Sequence, residues 1–483
     1  MPRVTARDLI GQLFDSYESW DEPASYVGLP ETYSYELATA AHKAGVDESV
    51  LTGSADLGGL RVAVLASEFG FLAGSVGRVA SERLIAAIER ATRDGLPLVG
   101  LPCSGGTRMQ EGTPAFVQMV RIGAALAAHR AAGLPYVVWL RNPTTGGVMA
   151  TWGSLGQIVW AEPGALTGFL GPRVYEAMYG DAFPDGVQVA ENLALRGVID
   201  EVVPLGSLRS RLIEVLSVLA PPAQSLRVRA ETPGIEAEPR ELVAMVPSST
   251  DPDAWDSILA TRNERRPGIR ELLAGVPHVP LYGTHEGESD PGILLAVVRF
   301  GDQPCVVAAQ DRHTQARLPF GPGGLRTVRR GIALASDLGI PLVTVIDTRG
   351  AALSAAAENG AMAGEIARTL ADLVTASCPT VSVMLGEGNG GGALAILPAD
   401  RIIATEAGWL SPLPPEGASA IVYRDTTHAD EMARAQKVRA QDLPIDVFVP
   451  EGERLSQRVR AAIGDAVAGL VAGTAQSRAD RFA

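Results

Sequence analysis

Apolar and polar positions change period along this chain in a way that repeats. From Ser81 to Asp94 apolar residues fall on one helical face, and the pattern stops at Gly95-Leu-Pro. A short unbroken apolar run follows, read as a buried strand, and it ends in small residues at Cys103-Ser-Gly-Gly-Thr107. The same succession returns later: a helical stretch from Leu325 to Leu338, then Gly339-Ile-Pro-Leu-Val343, then Asp347-Thr-Arg-Gly-Ala351. Gly95-Leu-Pro-Leu-Val99 and its second copy lie 244 positions apart. Leu134-Pro-Tyr-Val137 and Cys378-Pro-Thr-Val381 keep that offset, as do the glycine clusters Thr144–Val148 and Gly388–Gly392. The strands ending Ile158–Glu162 and Ile402–Glu406 continue it. Blocks that hold one register without a gap indicate a tandem duplication.

Each copy alternates helix, strand, glycine turn and helix, which predicts an α/β fold with parallel strands and right-handed crossovers. Between the copies, paired prolines and clustered charges (APPAQ, ETPGIEAEPRE, VPSSTDPD) suit an exposed connector. The expected division is therefore 1–215, a linker over 216–253, and 254–483. The N-terminus (MPRVTARDLIGQLFDSYESW) alternates charged and apolar residues like a surface helix and has no signal-peptide core. No apolar run approaches the ~20 residues of a membrane span, so a cytoplasmic protein without a membrane partner is expected.

Composition narrows the chemistry. A formal charge of −14 repels polyanions, which excludes nucleic acid as a natural partner. An acidic surface still admits coenzyme A, because a few local arginines can hold its phosphates. Cys103, Cys305 and Cys378 form no CxxC pair, so neither a zinc ribbon nor a disulfide framework is written, and no metal is expected. Lysine occurs only at Lys43 and Lys437, neither after a glycine, which removes a Walker-type phosphate loop. The six histidines lack metal-ligand spacing, and no GxSxG elbow appears.

The glycine turns remain. A strand that ends in glycines and opens a helix presents unpaired backbone N–H groups suited to an oxyanion. Each copy has two such turns, so each could converge donors on one oxygen. An acyl thioester losing its α-proton develops charge there, and one well-placed donor is worth on the order of a hundredfold in rate. Gly386-Glu-Gly388-Asn-Gly-Gly391 also matches GxGxxG, with Glu406 about twenty residues on. Against a dinucleotide site, Pro398 limits the following helix to about two turns, and Arg141–Gly147 lacks the first two glycines.

At these residues the sequence resembles the carboxyltransferase component of biotin-dependent acyl-CoA (acetyl- and propionyl-CoA) carboxylases. The first half resembles the β-type subunit in Tyr35–Gly53, Phe69–Gly77, Ser104-Gly-Gly-Thr-Arg-Met-Gln-Glu-Gly112, Pro143–Val148 and Ala161–Arg173. The second resembles the α-type subunit in Ile346-Asp-Thr348, Gly386–Ala395, Pro415–Ser419, Ala435–Leu443 and Val449-Pro-Glu451. The resemblance implies two tandem crotonase-like domains, ββα superhelices of the ClpP/crotonase type. It implies an acyl-CoA site in the first half and a carboxybiotin site in the second. It further implies a homo-oligomer with active sites between the first half of one copy and the second half of another.

By the same resemblance Gly146 and Gly147 hold the thioester enolate, while Gly391, Gly392 and Ala393 hold the ureido oxygen of biotin. Ser75, Gly105, Gly106 and Gly350 are the implied substrate-binding residues. Biotin would arrive on a separate biotin carboxyl carrier protein and be charged by a biotin carboxylase, since neither module is written in this chain. The sequence departs from the family pattern at Thr107 (alanine), at Arg349-Gly-Ala-Ala (Pro-Gly-Ala) and at Asn389-Gly (Gly-Ser). Alternative readings are the reverse reaction, as a decarboxylase component, and a non-catalytic scaffold subunit. A hydratase or isomerase fits less well, because those enzymes use one such unit with a carboxylate base.

Overall fold

The computed structural model describes residues 3–169, 176, 181–220 and 253–482. Most of the expected connector, and the last residues of the Ala161–Arg173 motif, lie outside them. The described residues divide into two compact units, one ending at Ser217 and the other built from nearly everything after residue 253.

The first unit carries a sheet of β1 (Ser16–Ser19), β2 (Val50–Leu57), β3 (Leu60–Ser67), β4 (Leu98–Leu101), β5 (Tyr136–Leu140), β6 (Ile158–Ala161) and β7 (Glu201–Val202), in that spatial order. The first three strands pair antiparallel and the rest parallel. Tyr136–Leu140 is buried at every position, as befits a central parallel strand covered on both faces. Helix α1 (Arg78–Asp94) lays Ala80, Leu84, Ala87, Ile88 and Ala91 on the core. Burying each leucine or isoleucine contributes roughly 1.5–3 kcal/mol. The helix ends at left-handed Gly95, where the Leu96 amide turns back to the Ala91 carbonyl at 2.9 Å. Helix α2 (Gln118–Ala131) packs beside α1 and adds Met119, Ile122 and Leu126 to the same cluster.

The second unit repeats this plan with β8 (His278–Leu281), β9 (Ile293–Phe300), β10 (Gln303–Gln310), β11 (Leu342–Thr348), β12 (Thr380–Asn389), β13 (Arg401–Thr405), β14 (Trp409–Ser411) and β15 (Val447–Val449). The order is β8-β9-β10-β11-β12-β13-β15, with β14 paired to the end of β12. Again β8–β10 pair antiparallel and the remainder parallel. Helix α3 (Pro322–Leu338) follows β10 and covers the sheet as α1 does in the first unit.

The sequence offset survives in three dimensions. Helices α1 and α3 are both 17 residues long and begin 244 positions apart. Leu98 faces Tyr136, and 244 positions on Leu342 faces Thr380. Left-handed glycines recur at Gly95 and Gly339, Gly106 and Gly350, and Gly146 and Gly390.

Two local readings are refined. The N-terminal helix Ala6–Leu13 forms, but Ala6, Leu9, Ile10 and Leu13 are buried rather than lying on the surface. Buried Arg141 holds the segment before it, donating to the Ser67 and Val4 carbonyls at 2.8 and 2.5 Å. Helix Leu205–Leu219 runs past the expected boundary at 215 because its apolar spacing continues: Leu212, Val215, Leu216 and Leu219 are all buried.

Candidate active site

In each unit two neighbouring parallel strands deliver their glycine turns to the same edge of the sheet, the position where open α/β sheets bind ligands. In the first unit the turns after β4 and β5 are laced together. The Ser104 amide donates to the Pro143 carbonyl at 2.7 Å, and the Thr145 amide returns to the Ser104 carbonyl at 2.9 Å. Thr144 Oγ1 donates to the Pro102 carbonyl at 3.0 Å. Gly106 sits at φ +108°, and a Cβ there would come within 3.3 Å of Gly146 Cα and 3.4 Å of the Gly147 amide nitrogen. Only glycine leaves that nitrogen accessible from this side.

The expected site residues separate into two kinds. The Gly105 amide donates to the Ala73 carbonyl and the Gly106 amide to Ser104 Oγ, both at 3.0 Å. The Gly146 amide donates to the Phe169 carbonyl at 2.9 Å. These three shape the crevice and are already engaged, so Gly146 is not the free donor it was expected to be. The Gly147 N–H comes next, in the first turn of the short helix Gly146–Val148, where no intrahelical acceptor exists. Ser75 is turned inward, its hydroxyl donating to the Leu72 carbonyl at 2.7 Å.

Sequence reasoning did not single out the support beneath this crevice. Arg108 and Glu48 form an ion pair with both side chains fully buried, one of its hydrogen bonds at 3.0 Å. Arg108 also donates to the Ser75 carbonyl at 2.7 Å, and its own amide donates to the Val76 carbonyl at 3.0 Å. Thus Arg108, through its guanidinium and its backbone amide, holds residues 75–76, and the Val76 amide in turn donates to the Gly106 carbonyl at 2.9 Å. Burial works to raise the Glu48 carboxyl, but the hydrogen bonds and charge of Arg108, with hydrogen bonds from the Ser49 amide and Tyr26, together outweigh it and hold it below the usual range. Arg108 lies within the quoted Ser104–Gly112 motif, whereas nothing local marks Glu48 as its partner. Leu72 and Ala73 are left-handed without being glycine, at φ 44° and 55°. Such strained backbone persists where its surroundings hold it, here through Gly105 and Arg108.

The second unit builds its crevice from the ends of β11 and β12. Gly350, at φ +117°, matches Gly106, and its amide donates to Thr348 Oγ1 at 3.0 Å. Fully buried Gln310 joins the two turns, accepting from the Asp347 amide at 3.1 Å and donating to the Gly392 carbonyl at 3.0 Å. Of the expected donors, Gly391 alone reaches the surface, while Gly392 and Ala393 are buried. Gly392 is required for packing, since a Cβ there would lie 2.4 Å from the Phe320 ring. Ala393 stands where the helix begins its own i→i−4 bonding to Asn389. The register therefore matches Gly391 to Gly147 and Gly390 to Gly146. That helix, Gly390–Leu394, is shorter than the two turns expected and far too short for a dinucleotide-binding crossover.

A polar cavity of about 400 Å³ opens beside the turn, lined among others by Arg312, Gln315, Asp347, Arg349 and Glu387. Burial pushes the Asp347 carboxyl up to about 6, with Arg312 and Arg266 pulling against it. Arg349, one of the departures from the family pattern, reaches Glu387 at 3.5 Å. Cys103 is buried beside the first crevice, and burial pushes its thiol up to about 11, far from a nucleophilic thiolate. Among the described residues no group of three or more His, Cys, Asp or Glu gathers for a metal, and no helix is long and apolar enough to cross a membrane.

Paired glycine turns at the strand ends of an α/β scaffold suit the holding of an oxyanion, as in enzymes that work on thioester enolates. Residues 14–465 match the carboxyl transferase domain family, and the chain belongs to it. The probable biotin-dependent acyl-coenzyme A carboxylase beta3 subunit of Mycobacterium tuberculosis is 53% identical over 460 residues, covering 93% of this chain and 90% of that protein. The acetyl-coenzyme A carboxylase carboxyl transferase subunits beta/alpha of Salinispora arenicola are 35% identical over 479 residues, 93% of this chain and 82% of that one. The transcarboxylase 12S crystal structure, a hexamer with methylmalonyl-coenzyme A and methylmalonic acid bound, has the same fold at a TM-score of 0.75. It is 18% identical, covering 98% of this chain and 91% of that one.

Proposed function

We propose that this chain is a biotin-dependent carboxyltransferase that moves a carboxyl group from carboxybiotin to the α-carbon of an acyl-CoA. In this reading the two units are tandem crotonase-like domains, the first taking the acyl-CoA thioester and the second the biotin of a carrier protein. The observation that carries it is the Gly106–Gly147 contact in the first unit: the absent Cβ leaves an approach to an amide nitrogen 3.4 Å away. The Gly147 N–H would hold the thioester oxygen as negative charge develops there, in a crevice whose position is fixed before substrate arrives. Gly105 and Gly106 line the approach, and Arg108 holds the wall through residues 75–76.

Carboxybiotin would supply the carboxyl group and, having lost it, its ureido group would take the α-proton of the acyl-CoA, so the chain need not provide an acid or base of its own. The second unit fits such a group: Gly391 stands in the first turn of its helix, where no intrahelical acceptor exists for its amide, and a cavity rich in hydrogen-bonding side chains opens at Asp347–Arg349 and Glu387 on the same strand ends. Biotin carboxylase and a biotin carboxyl carrier protein are the partners this implies, in the cytoplasm. A homo-oligomer with active sites between copies is supported by matched apolar exposure. Met109 is 77% exposed, and Leu353, 244 positions on, is 98% exposed. Phe116, Val120, Ile421 and Val422 are exposed as well. Large apolar side chains so exposed suit a contact between copies.

The test is to incubate the purified chain with free biotin, or a biotinylated carrier, and a panel of carboxyacyl-CoAs including malonyl- and methylmalonyl-CoA. Biotin-dependent loss of one carboxyacyl-CoA, with the decarboxylated thioester appearing, is expected. No turnover with any of them in the presence of the carrier would remove the catalytic reading.

A further inference from the structure

Thr107 follows the Gly105–Gly106 turn, at a position where the chain departs from the family pattern of alanine. The residue is only 7% exposed. Other hydroxyls around the first crevice are spent on carbonyls: Thr144 donates to Pro102 at 3.0 Å, Thr145 to Ser104 at 3.4 Å, Ser104 to Gly106 at 3.4 Å and Thr151 to Gly147 at 2.7 Å. The Thr107 hydroxyl makes no hydrogen bond within the described residues. Nor is it sealed in, since it is not among the fully buried side-chain oxygens that lack a partner. A hydroxyl held this deep, unspent and still open, is free to serve an incoming group.

Its position says which group. A Cβ added at Gly147 would lie 2.7 Å from Thr107 Oγ1, with Met119 next nearest at 3.7 Å. In a helix the Cα–Cβ bond tilts toward the N-terminus, the way the first-turn amides point. The hydroxyl therefore stands off the same end of the Gly146–Val148 helix as the Gly147 N–H. With about 2.5 Å between an amide nitrogen and its own Cβ, Oγ1 lies no more than about 5 Å from the Gly147 nitrogen. Two donors so spaced can meet one oxygen, about 2.9 Å from the nitrogen and about 2.7 Å from the hydroxyl. Gly106, next to Thr107, keeps the approach to that nitrogen open. The matching position in the second unit, 244 residues on, is Ala351, which has no hydroxyl to offer.

We infer that Thr107 is a further catalytic residue of the first crevice: its Oγ1–H donates, together with the Gly147 N–H, to the oxygen of the acyl thioester. Two donors then hold the charge that grows on that oxygen as the α-proton leaves. The hydroxyl keeps its own proton throughout and acts only by hydrogen bonding. This rests on the reading of the first unit as the acyl-CoA half.

The test compares wild type with Thr107→Val, which keeps the branched shape without the hydroxyl, Thr107→Ala, which removes both, and Thr107→Ser, which keeps the hydroxyl. Each is assayed with free biotin and the carboxyacyl-CoA that wild type decarboxylates best, and thermal melting is recorded without ligand. Thr107→Val and Thr107→Ala are expected to lose about ten- to a hundredfold in kcat, the worth of a hydrogen bond to a charged oxygen, with KM changed by less than about threefold. Thr107→Ser should recover most of that loss. The melting temperature of Thr107→Val should stay level, because no protein hydrogen bond is removed; a merely structural threonine would lower it. A wild-type kcat in Thr107→Val, whatever Thr107→Ala does, leaves shape rather than the hydroxyl and overturns the inference. So does a Thr107→Ser that falls as far as Thr107→Val. A wild type that turns over no carboxyacyl-CoA overturns the reading beneath it instead.

Discussion

Replacing Gly106 with alanine tests the crevice directly, because the structure gives both costs of the change. The first is conformational: at φ +108° an L side chain is strained, which costs about 1–3 kcal/mol of stability. The second is chemical. The added methyl would stand 3.4 Å from the Gly147 nitrogen, in the space an accepting oxygen needs at about 2.9 Å. Losing one such donor raises the barrier by about 2.7–4 kcal/mol, a hundredfold or more in kcat. Gly95→Ala separates the two effects. Gly95 is also left-handed, at φ +66°, but nothing lies within 4 Å of its absent Cβ. That variant should lose about 1–2 kcal/mol of stability and keep its activity. The assay is biotin-dependent decarboxylation of a carboxyacyl-CoA, run beside urea unfolding of each variant. If folded Gly106→Ala turned over at the wild-type rate, the Gly147 amide could not be the donor, and the assignment of the first crevice would fall.

Other consequences follow from the same contacts. Arg108→Met strands the buried Glu48 carboxylate, so it should cost about 3–5 kcal/mol in urea unfolding; a loss below about 1 kcal/mol, typical of surface pairs, would contradict the burial. Asp347 has its pKa raised to about 6 from 3.8, chiefly by burial, so the folded state holds its proton more tightly than the unfolded chain. Its contribution to stability is complete below about pH 3.8 and lost as pH rises through about 6. Asp347→Asn removes that loss, so its stability relative to wild type should climb across this window and level off above it. A flat difference across that window would contradict the raised pKa. Leu353→Asp, at the most exposed of the apolar positions named above, should weaken self-association in sedimentation velocity without lowering the melting temperature. An unchanged sedimentation coefficient would remove that face from the interface.

The features legible beforehand were those encoded by period and by glycine. The α1 and α3 stripes, their stop at Gly95 and Gly339, and the apolar runs of β5 and β12 follow from local spacing, which tertiary packing reinforced rather than overrode. What stayed hidden depends on contacts between distant residues. Arg108 finds Glu48 sixty positions away. The Gly146 amide is consumed by Phe169, and Gly392 is glycine because Phe320 leaves it no room. Motif matching treats every glycine in a turn as a donor, whereas hydrogen-bond accounting shows which amides are already taken. The helix runs four residues past the expected boundary at 215 because its apolar spacing continues to Leu219, just before the paired prolines at 221 and 222.

The two crevices share a backbone and differ in side chains, and that division explains how one plan could serve two ligands. The positive-φ pair Gly106 and Gly350, and the strand-to-helix turns at Gly146 and Gly390, set the direction in which an amide can point. Nothing in that geometry distinguishes a thioester oxygen from a urea oxygen. Discrimination must come from what stands around the turn. In the first unit Gly105 and Thr145 leave the wall small, and the nearby charge is sealed in the Arg108–Glu48 pair. In the second, Arg349 replaces that glycine and Asn389 that threonine, and the cavity opens on Asp347, Glu387 and Arg312. Exchanging Thr145 and Asn389 between the turns should therefore shift ligand preference while leaving the strands and the left-handed glycines in place. Calorimetry of each exchanged variant with biotin and with acyl-CoA would show whether the walls, rather than the amides, carry the choice. Unchanged preferences would place selectivity in the Arg349 side of the crevice instead.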